Sequence, residues 1–179
     1  MLDRLRERLL AVDDALALYG SATAAVAILL RERGGLAVLV QERAARESDP
    51  WSGQWSFPGG RREGGELLPE TARRETEEEV GLFLPDGEVL GCLEARSPGN
   101  LQILVLPFVF AWTRDEEPRP GPEVASTAWV PLADLPRTRT TAKIRVRERE
   151  LEMPAFVDGR RTIWGFTYRL LEDLLTTLQ

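Results

Sequence analysis

The stretch FPGGRREGGELLPETARRETEEEVGL, residues 57–82, decides how the rest of the chain is read. Its polar residues fall at fixed offsets. Glu66 follows Gly60 after five residues, Arg74 and Glu75 follow after seven more, and Glu78, Glu79 and Gly81 complete the series. Pro69 suits the first position of a helix, where its missing N–H costs nothing. Residues three and four apart share a helix face, so the spacing predicts Glu75, Glu78 and Glu79 on one side. Ala72, Thr76 and Val80 then form a packing stripe roughly opposite, and Gly81 ends the helix as a C′ glycine. Like charges at these spacings destabilise a helix by a few tenths of a kcal/mol each, a penalty that a bound cation removes. Hard divalent cations take oxygen ligands, and Mg²⁺ shares one or two carboxylates with substrate phosphates. A glycine-rich loop opening into such a helix fits a Mg²⁺ and diphosphate site, with Arg74 as the nearby base suited to orient a carboxylate by a fork of hydrogen bonds.

The competing reading is a solvated acidic face, which is what a charge run such as Glu75, Glu77, Glu78 and Glu79 usually is. The full spacing outweighs it. With Gly and Glu each near 7% of residues, seven specified positions recur by chance roughly once in 10⁸ windows, and local acid richness weakens that by about two orders of magnitude.

The pattern G-x5-E-x7-R-E-U-x-E-E-x-G-U, with U a bulky aliphatic residue, is the Nudix box, and this stretch resembles it at every polar position. Thr76 stands where an aliphatic residue is usual. The resemblance implies an α/β/α sandwich with a mixed sheet and a loop-helix-loop metal site, over about residues 20–178. It also implies that Glu75, Glu78 and Glu79 are metal ligands, joined by the loop carbonyl at Gly60. Arg74 would orient Glu75, and Glu66 would brace the loop. Mg²⁺ is the implied cofactor, with Mn²⁺ as a substitute.

At 179 residues the chain is expected to form one domain, residues 20–179, preceded by a helix in residues 1–19 packed on it or on a dimer partner. Such a chain buries about 70% of its unfolded surface. A net charge of −6 argues against a general nucleic-acid binder, which would show a basic face. It leaves room for an anionic substrate, because a bound metal inverts the local field. The single cysteine, Cys92, excludes an intramolecular disulfide and points to a reducing compartment, here the cytoplasm. Histidine is absent, which excludes imidazole ligands, Ser-His or Cys-His pairs and a histidine base, and leaves carboxylate chemistry.

Leu2, Leu5, Leu9, Val12 and Leu16 repeat at helical spacing in residues 2–18, with charges that exclude a signal peptide or a membrane span. Residues 22–30 and 36–41 are β-prone runs, and Gly34-Gly35 between them signals a hairpin. Arg43 and Arg46, in or beside a charged loop, are candidates to meet substrate phosphates, as are Gly59 and Gly60. Residues 89–95 and 101–112 read as strands, with Pro107 expected at a bulge or an edge. Residues 113–123 form a Pro- and acid-rich loop expected to be flexible or functional. A strand at residues 124–130, a hairpin region at 143–157 with a tight turn at Asp158-Gly159, and a helix at 165–178 complete the chain.

Three features beyond the box resemble coenzyme A pyrophosphatases. Gly53-x3-Phe57-Pro58-Gly59-Gly60, preceded by Leu39-Val40-Gln41-Glu42-Arg43-Ala44, looks like their upstream signature. Val105-x-Pro107-Phe108-Val109 is similar to one of their strands, and Ile163-Trp164-Gly165-Phe166-Thr167 to their C-terminal segment. Asp49 stands where that family has an arginine, and Trp164 and Phe166 are expected in plain core packing. The expected activity is metal-assisted hydrolysis of the diphosphate in coenzyme A or its thioesters. Alternatives are another nucleoside diphosphate derivative, such as ADP-ribose or an oxidised nucleotide, or a ligand sensor without turnover. The general base would be a box carboxylate or one of Glu94, Glu116, Glu117 and Glu123.

Overall fold

The computed structural model describes residues 1–45, 52–99, 102–146 and 149–179. β1 (Ala24–Glu32) runs through the centre, and six of its nine residues are buried because both faces are covered. A near-continuous apolar run is what a strand buried on both faces requires. Its side chains part into two cores. Ala25, Ala27 and Leu29 meet α3 (Leu68–Val80) through Leu68, Ala72 and Val80. Ile28 and Leu30 meet α5 (Gly165–Thr177) through Leu170, Leu171 and Leu174. The result is a mixed sheet between helices, the α/β sandwich the sequence indicates.

β1 and β2 (Leu36–Arg43) form a hairpin at Gly34-Gly35, where both glycines have positive φ. The pair holds register only from Leu30↔Val38 to Glu32↔Leu36 and then splays. Two short strands fill the opening: β3 (Trp55–Ser56) lies on β2 and β4 (Gly59–Arg61) on β1. β6 (Val105–Ala111) runs parallel to β1 on its other flank, followed by β5 (Val89–Cys92), while β7 (Val124–Pro131) pairs along β2. A second sheet joins β8 (Arg139–Val146), β9 (Arg149–Asp158) and β10 (Arg161–Trp164), entered through the short α4 (Leu135–Thr138).

Two expectations need correction. The single helix over residues 2–18 is instead α1 (Leu2–Arg6) and α2 (Val12–Tyr19). Between them Leu10 exchanges two backbone hydrogen bonds with Cys92, of 3.0 and 2.9 Å. Those bonds cover the outer edge of β5, where an open edge would otherwise be left unpaired. Leu5 and Leu9 join the α5 core and Ala15 the α3 core, so this segment packs on the chain's own domain. Pro107, expected at a bulge or an edge, is buried in the interior strand β6 opposite Val26. Its carbonyl accepts from Leu93, just past the end of β5. A residue's N–H and C=O share one flank of a strand, so the missing N–H faces the point where the ladder has finished.

The acid-rich segment 113–123 closes the C-terminal end of α3. Arg119 N–H donates to the Val80 carbonyl at 2.7 Å and Gly121 N–H to that of Glu79 at 2.8 Å. These donors answer carbonyls that a helix end leaves unpaired. Glu117 pairs with Arg31 and Asp115 with Arg33, which anchors the segment to β1 and the turn after it.

Gly81 turns the chain at φ 67°, with its N–H on the Glu77 carbonyl. A Cβ there would sit 3.4 Å from Arg119, an ordinary contact, so backbone conformation sets the penalty. Gly81→Ala should therefore cost about 1 kcal/mol, read as a lower urea midpoint with unchanged slope. No loss would show that α3 does not depend on this turn.

Candidate functional site

Two glycines allow the loop to lie flat on the sheet. Gly59 and Gly60 pair antiparallel with Val26 and Ala25 of β1. A Cβ on Gly59 would come within 2.6 Å of the Val26 Cα, at a φ of 156° that side chains rarely adopt. A Cβ on Gly60 would run into the Glu75 carboxylate. The sequence assigns these residues to substrate approach. The structure adds that they let β4 fit between β1 and α3.

Arg74 gathers the carboxylates of the loop and helix. Its Nε donates to Glu66 Oε1 at 2.6 Å, and Nη1 to Glu75 Oε1 at 3.0 Å and Glu78 Oε2 at 3.1 Å. Its Nη2 donates to the Arg61 carbonyl at 3.1 Å. Glu66 Oε2 in turn accepts from the Thr71 hydroxyl at 2.9 Å and the Glu63 N–H at 3.2 Å. Hydrogen bonding to Arg74 draws the Glu66 carboxyl down to about 2. Glu66 and Arg74 thus tie the loop to the helix at both ends.

The three glutamates expected on one face occupy three environments. Glu78 is exposed, Glu75 is mostly covered, and Glu79 is buried with 7% exposure. Glu79 Oε2 accepts from Gly59 N–H at 2.9 Å and from the Gln41 side-chain amide at 2.8 Å. Burial pushes its carboxyl up to about 7, against the opposing pull of those two donors and of the Arg43 charge. Burial also raises Glu75, with Arg74 acting against it.

Gln41 was not singled out by sequence. It sits 1% exposed at the end of an apolar strand, and its amide oxygen has no partner among the described residues. A buried amide costs free energy unless it is paired, so a glutamine closing the run of residues 36–40 was a readable signal for a polar partner across the fold. Turning the amide over would set its oxygen against the Glu79 carboxylate, which fixes its orientation.

Arg43, at the end of β2, lines a cavity of about 570 Å³ together with Gly59, Gly60, Glu79, Phe57 and Phe166. Arg46 and Asp49 lie outside the described residues. Among the outside candidates for a base, Glu94 lines a different cavity with Arg8 and Arg96. Glu117 is held by Arg31 and accepts from Trp129 Nε1 at 3.1 Å. Glu123 is nearer, since its carbonyl accepts from Ala44 N–H at 2.9 Å, next to Arg43. Phe166, expected in plain core packing, does pack on the α5 core and also forms part of the cavity wall.

Among the described residues no three acidic side chains converge on one point as a metal cage. The cause is visible: Arg74 holds Glu75 and Glu78, while Glu79 is turned to Gln41 and Gly59. The donors themselves suit a hard dication, being carboxylate oxygens within about one turn of helix beside a loop whose glycine leaves room for one of them.

Comparison with known proteins agrees with this arrangement. The family model described as NUDIX domain matches residues 20–150. The human mitochondrial coenzyme A diphosphatase NUDT8 is 33% identical over 166 residues, covering 88% of this chain and 70% of that protein. Three further relatives are matched over 32% to 60% of their length. A MutT/nudix family protein from Enterococcus faecalis superposes with a TM-score of 0.61 at 14% identity, covering 98% of this chain and 72% of the other. The NUDIX domain of Shewanella oneidensis NrtR, complexed with ADP ribose, gives 0.56 at 18% identity and 87% of each chain. These two structures share the fold.

Glu66 and Glu79 make opposite contributions to stability. Glu79 holds its proton more tightly when folded, so its contribution is present below pH 4.5 and is lost as pH rises through about 7. Glu66 contributes above pH 4.5 and loses that contribution as pH falls towards about 2. In metal-free protein the urea midpoint should fall between pH 4.5 and about 7, and Glu79→Gln should flatten that fall. An unchanged slope in the variant would show that another group carries the proton.

Proposed function

The chain belongs to the NUDIX hydrolase family, and from that premise we propose that it hydrolyses the diphosphate linkage of coenzyme A or its derivatives with Mg²⁺. One observation carries the reading: Glu79 and the Gly59–Gly60 loop line one cavity with Arg43, Glu75 lies against Gly60, and Arg74 joins Glu75 to Glu78. The coenzyme A assignment draws on the upstream and C-terminal segments and on the likeness to the human coenzyme A diphosphatase.

In this reading Glu75, Glu78, Glu79 and the Gly60 carbonyl hold the metal. When bound, the ion withdraws charge from the phosphates and lowers the pKa of its water. Glu79 presents Oε1, because its Oε2 is already taken by Gln41 and Gly59. Arg74 keeps Glu75 in place and Glu66 steadies the loop that carries Gly60. Arg43 offers a guanidinium to a substrate phosphate, a geometry suited to two parallel hydrogen bonds. The proton from the attacking water passes to a carboxylate of the site. Mn²⁺ substitutes for Mg²⁺ in this scheme, and a reducing compartment such as the cytoplasm accords with a chain whose single cysteine, Cys92, is buried.

Hydrolysis of another nucleoside diphosphate derivative is the second reading, favoured by the fold shared with the ADP-ribose-bound domain. No described helix is long and apolar enough to cross a membrane. Coenzyme A, acetyl-coenzyme A, ADP-ribose, NADH and 8-oxo-dGTP should be compared for Mg²⁺-dependent turnover, with products identified by mass. Coenzyme A or its thioester should be cleaved best, at the diphosphate. Preference for another member would discard the coenzyme A assignment and keep the diphosphatase, whereas no turnover in a folded protein would favour a sensor. With the preferred substrate, Glu78→Gln should lower kcat by several orders of magnitude while the protein stays folded, consistent with loss of metal charge stabilisation. Near-normal turnover would remove Glu78 from the metal site. Arg43→Ala should raise KM more than it lowers kcat, and the reverse pattern would contradict a binding role.

A further inference from the structure

Glu79 comes to the site with one carboxylate oxygen already engaged. A carboxylate oxygen carries two lone pairs. Oε2 accepts two hydrogen bonds, from the Gln41 side-chain amide at 2.8 Å and from Gly59 N–H at 2.9 Å. Backbone pairing fixes both donors. Gln41 lies opposite Thr127 of β7 and Ser56 of β3, and Gly59 opposite Val26 of β1. At 1% exposure the Gln41 side chain is enclosed by the protein.

Packing alone does not account for a glutamine here. Val38, Leu39 and Val40 of the same strand are fully buried and apolar. A methionine after them would fill the place of Gln41 without leaving an amide oxygen unpaired among the described residues, which costs free energy in an interior. It would not supply an N–H to Glu79 Oε2. Dications differ in the use they make of such an oxygen. Ca²⁺ takes about 6–8 oxygen ligands and accepts both oxygens of one carboxylate, whereas Mg²⁺ demands near-octahedral geometry and keeps several waters. A carboxylate that can offer only one oxygen therefore penalises Ca²⁺ more than Mg²⁺.

We infer that Gln41 is a positioning residue that sets the metal preference of the site: by withholding Glu79 Oε2 it favours Mg²⁺ and Mn²⁺ over Ca²⁺. The inference rests on the reading of Glu75, Glu78 and Glu79 as metal ligands. It adds a residue from β2, outside the helix and loop that carry those ligands, and a selectivity that the ligands alone do not provide. Gly59 N–H occupies one lone pair of Oε2 and stays in place whatever stands at position 41. Gln41 occupies the other, so its removal reopens Oε2 to an ion able to use it.

The test needs no turnover. Mn²⁺ is bound to the unaltered protein and to Gln41→Met, and is then displaced by Ca²⁺ and by Mg²⁺ in separate titrations, with the free Mn²⁺ followed by electron paramagnetic resonance. Methionine keeps the length of the side chain and lacks the donor. The quantity read is the ratio of the Ca²⁺ and Mg²⁺ displacement constants. It should move towards Ca²⁺ by roughly tenfold in the variant, the lower end of what losing a partner of a metal ligand does to affinity. A change that only loosened the packing would weaken both ions alike and leave the ratio where it was. An unchanged ratio, or a shift towards Mg²⁺, overturns the inference while the metal site stands. Failure of the unaltered protein to bind Mn²⁺ overturns both. If Gln41→Met does not fold, Gln41→Leu takes its place in the same titrations and is judged by the same ratio.

Discussion

A side chain on Gly59 or Gly60 has no place to go. On one side lies the β1 backbone at Ala25 and Val26, and on the other the Glu75 carboxylate. This double contact lets β4 fill the opening where β1 and β2 part, and it brings the middle of α3, at Glu75, close against β4. The consequences reach the whole site. Gly59 N–H meets Glu79, Arg61 offers its carbonyl to Arg74, and Arg74 joins Glu66 to Glu75 and Glu78. One close approach of backbone to backbone thus brings a loop, a strand and a helix of carboxylates into register.

Electrostatics turns that packing into chemistry. Three neighbouring glutamates on a helix repel one another, and burying Glu79 adds a desolvation cost. Arg74 offsets the first by supplying a cation to Glu75 and Glu78. Gln41 and Gly59 offset part of the second, yet the Glu79 carboxyl remains raised by burial. A group in that condition binds either a proton or a metal ion strongly. The same residue that strains the folded protein at neutral pH is the one with most to gain from a dication.

Much of this was legible in the sequence because spacing and turn chemistry are local. The offsets from Gly60 to Gly81 locate the helix, and Pro69, the Ala72–Thr76–Val80 stripe and the Gly81 turn lie where the pattern puts them. The hairpin at Gly34-Gly35 and the turn at Asp158-Gly159 follow from two-residue signals. The misreadings share a different cause. Whether residues 2–18 continue as one helix depends on Cys92, far along the chain, drawing Leu10 into the sheet edge. Pro107 sits in an interior strand because β5 happens to end beside it. Gln41 and the unequal exposure of Glu75, Glu78 and Glu79 likewise depend on what crosses from another element, which periodicity does not report.

The central claim is that the glutamates of α3, together with the Gly60 loop, form a divalent-cation site, and metal binding measured without turnover tests it most directly. Mn²⁺ is titrated into metal-free protein and into the Glu75→Gln/Glu79→Gln double variant, and the free ion is followed by electron paramagnetic resonance. Saturable binding by the unaltered protein, lost in a double variant that retains its fold, is the expected result. Equal binding by both proteins would place the cation elsewhere and contradict the site described for this fold.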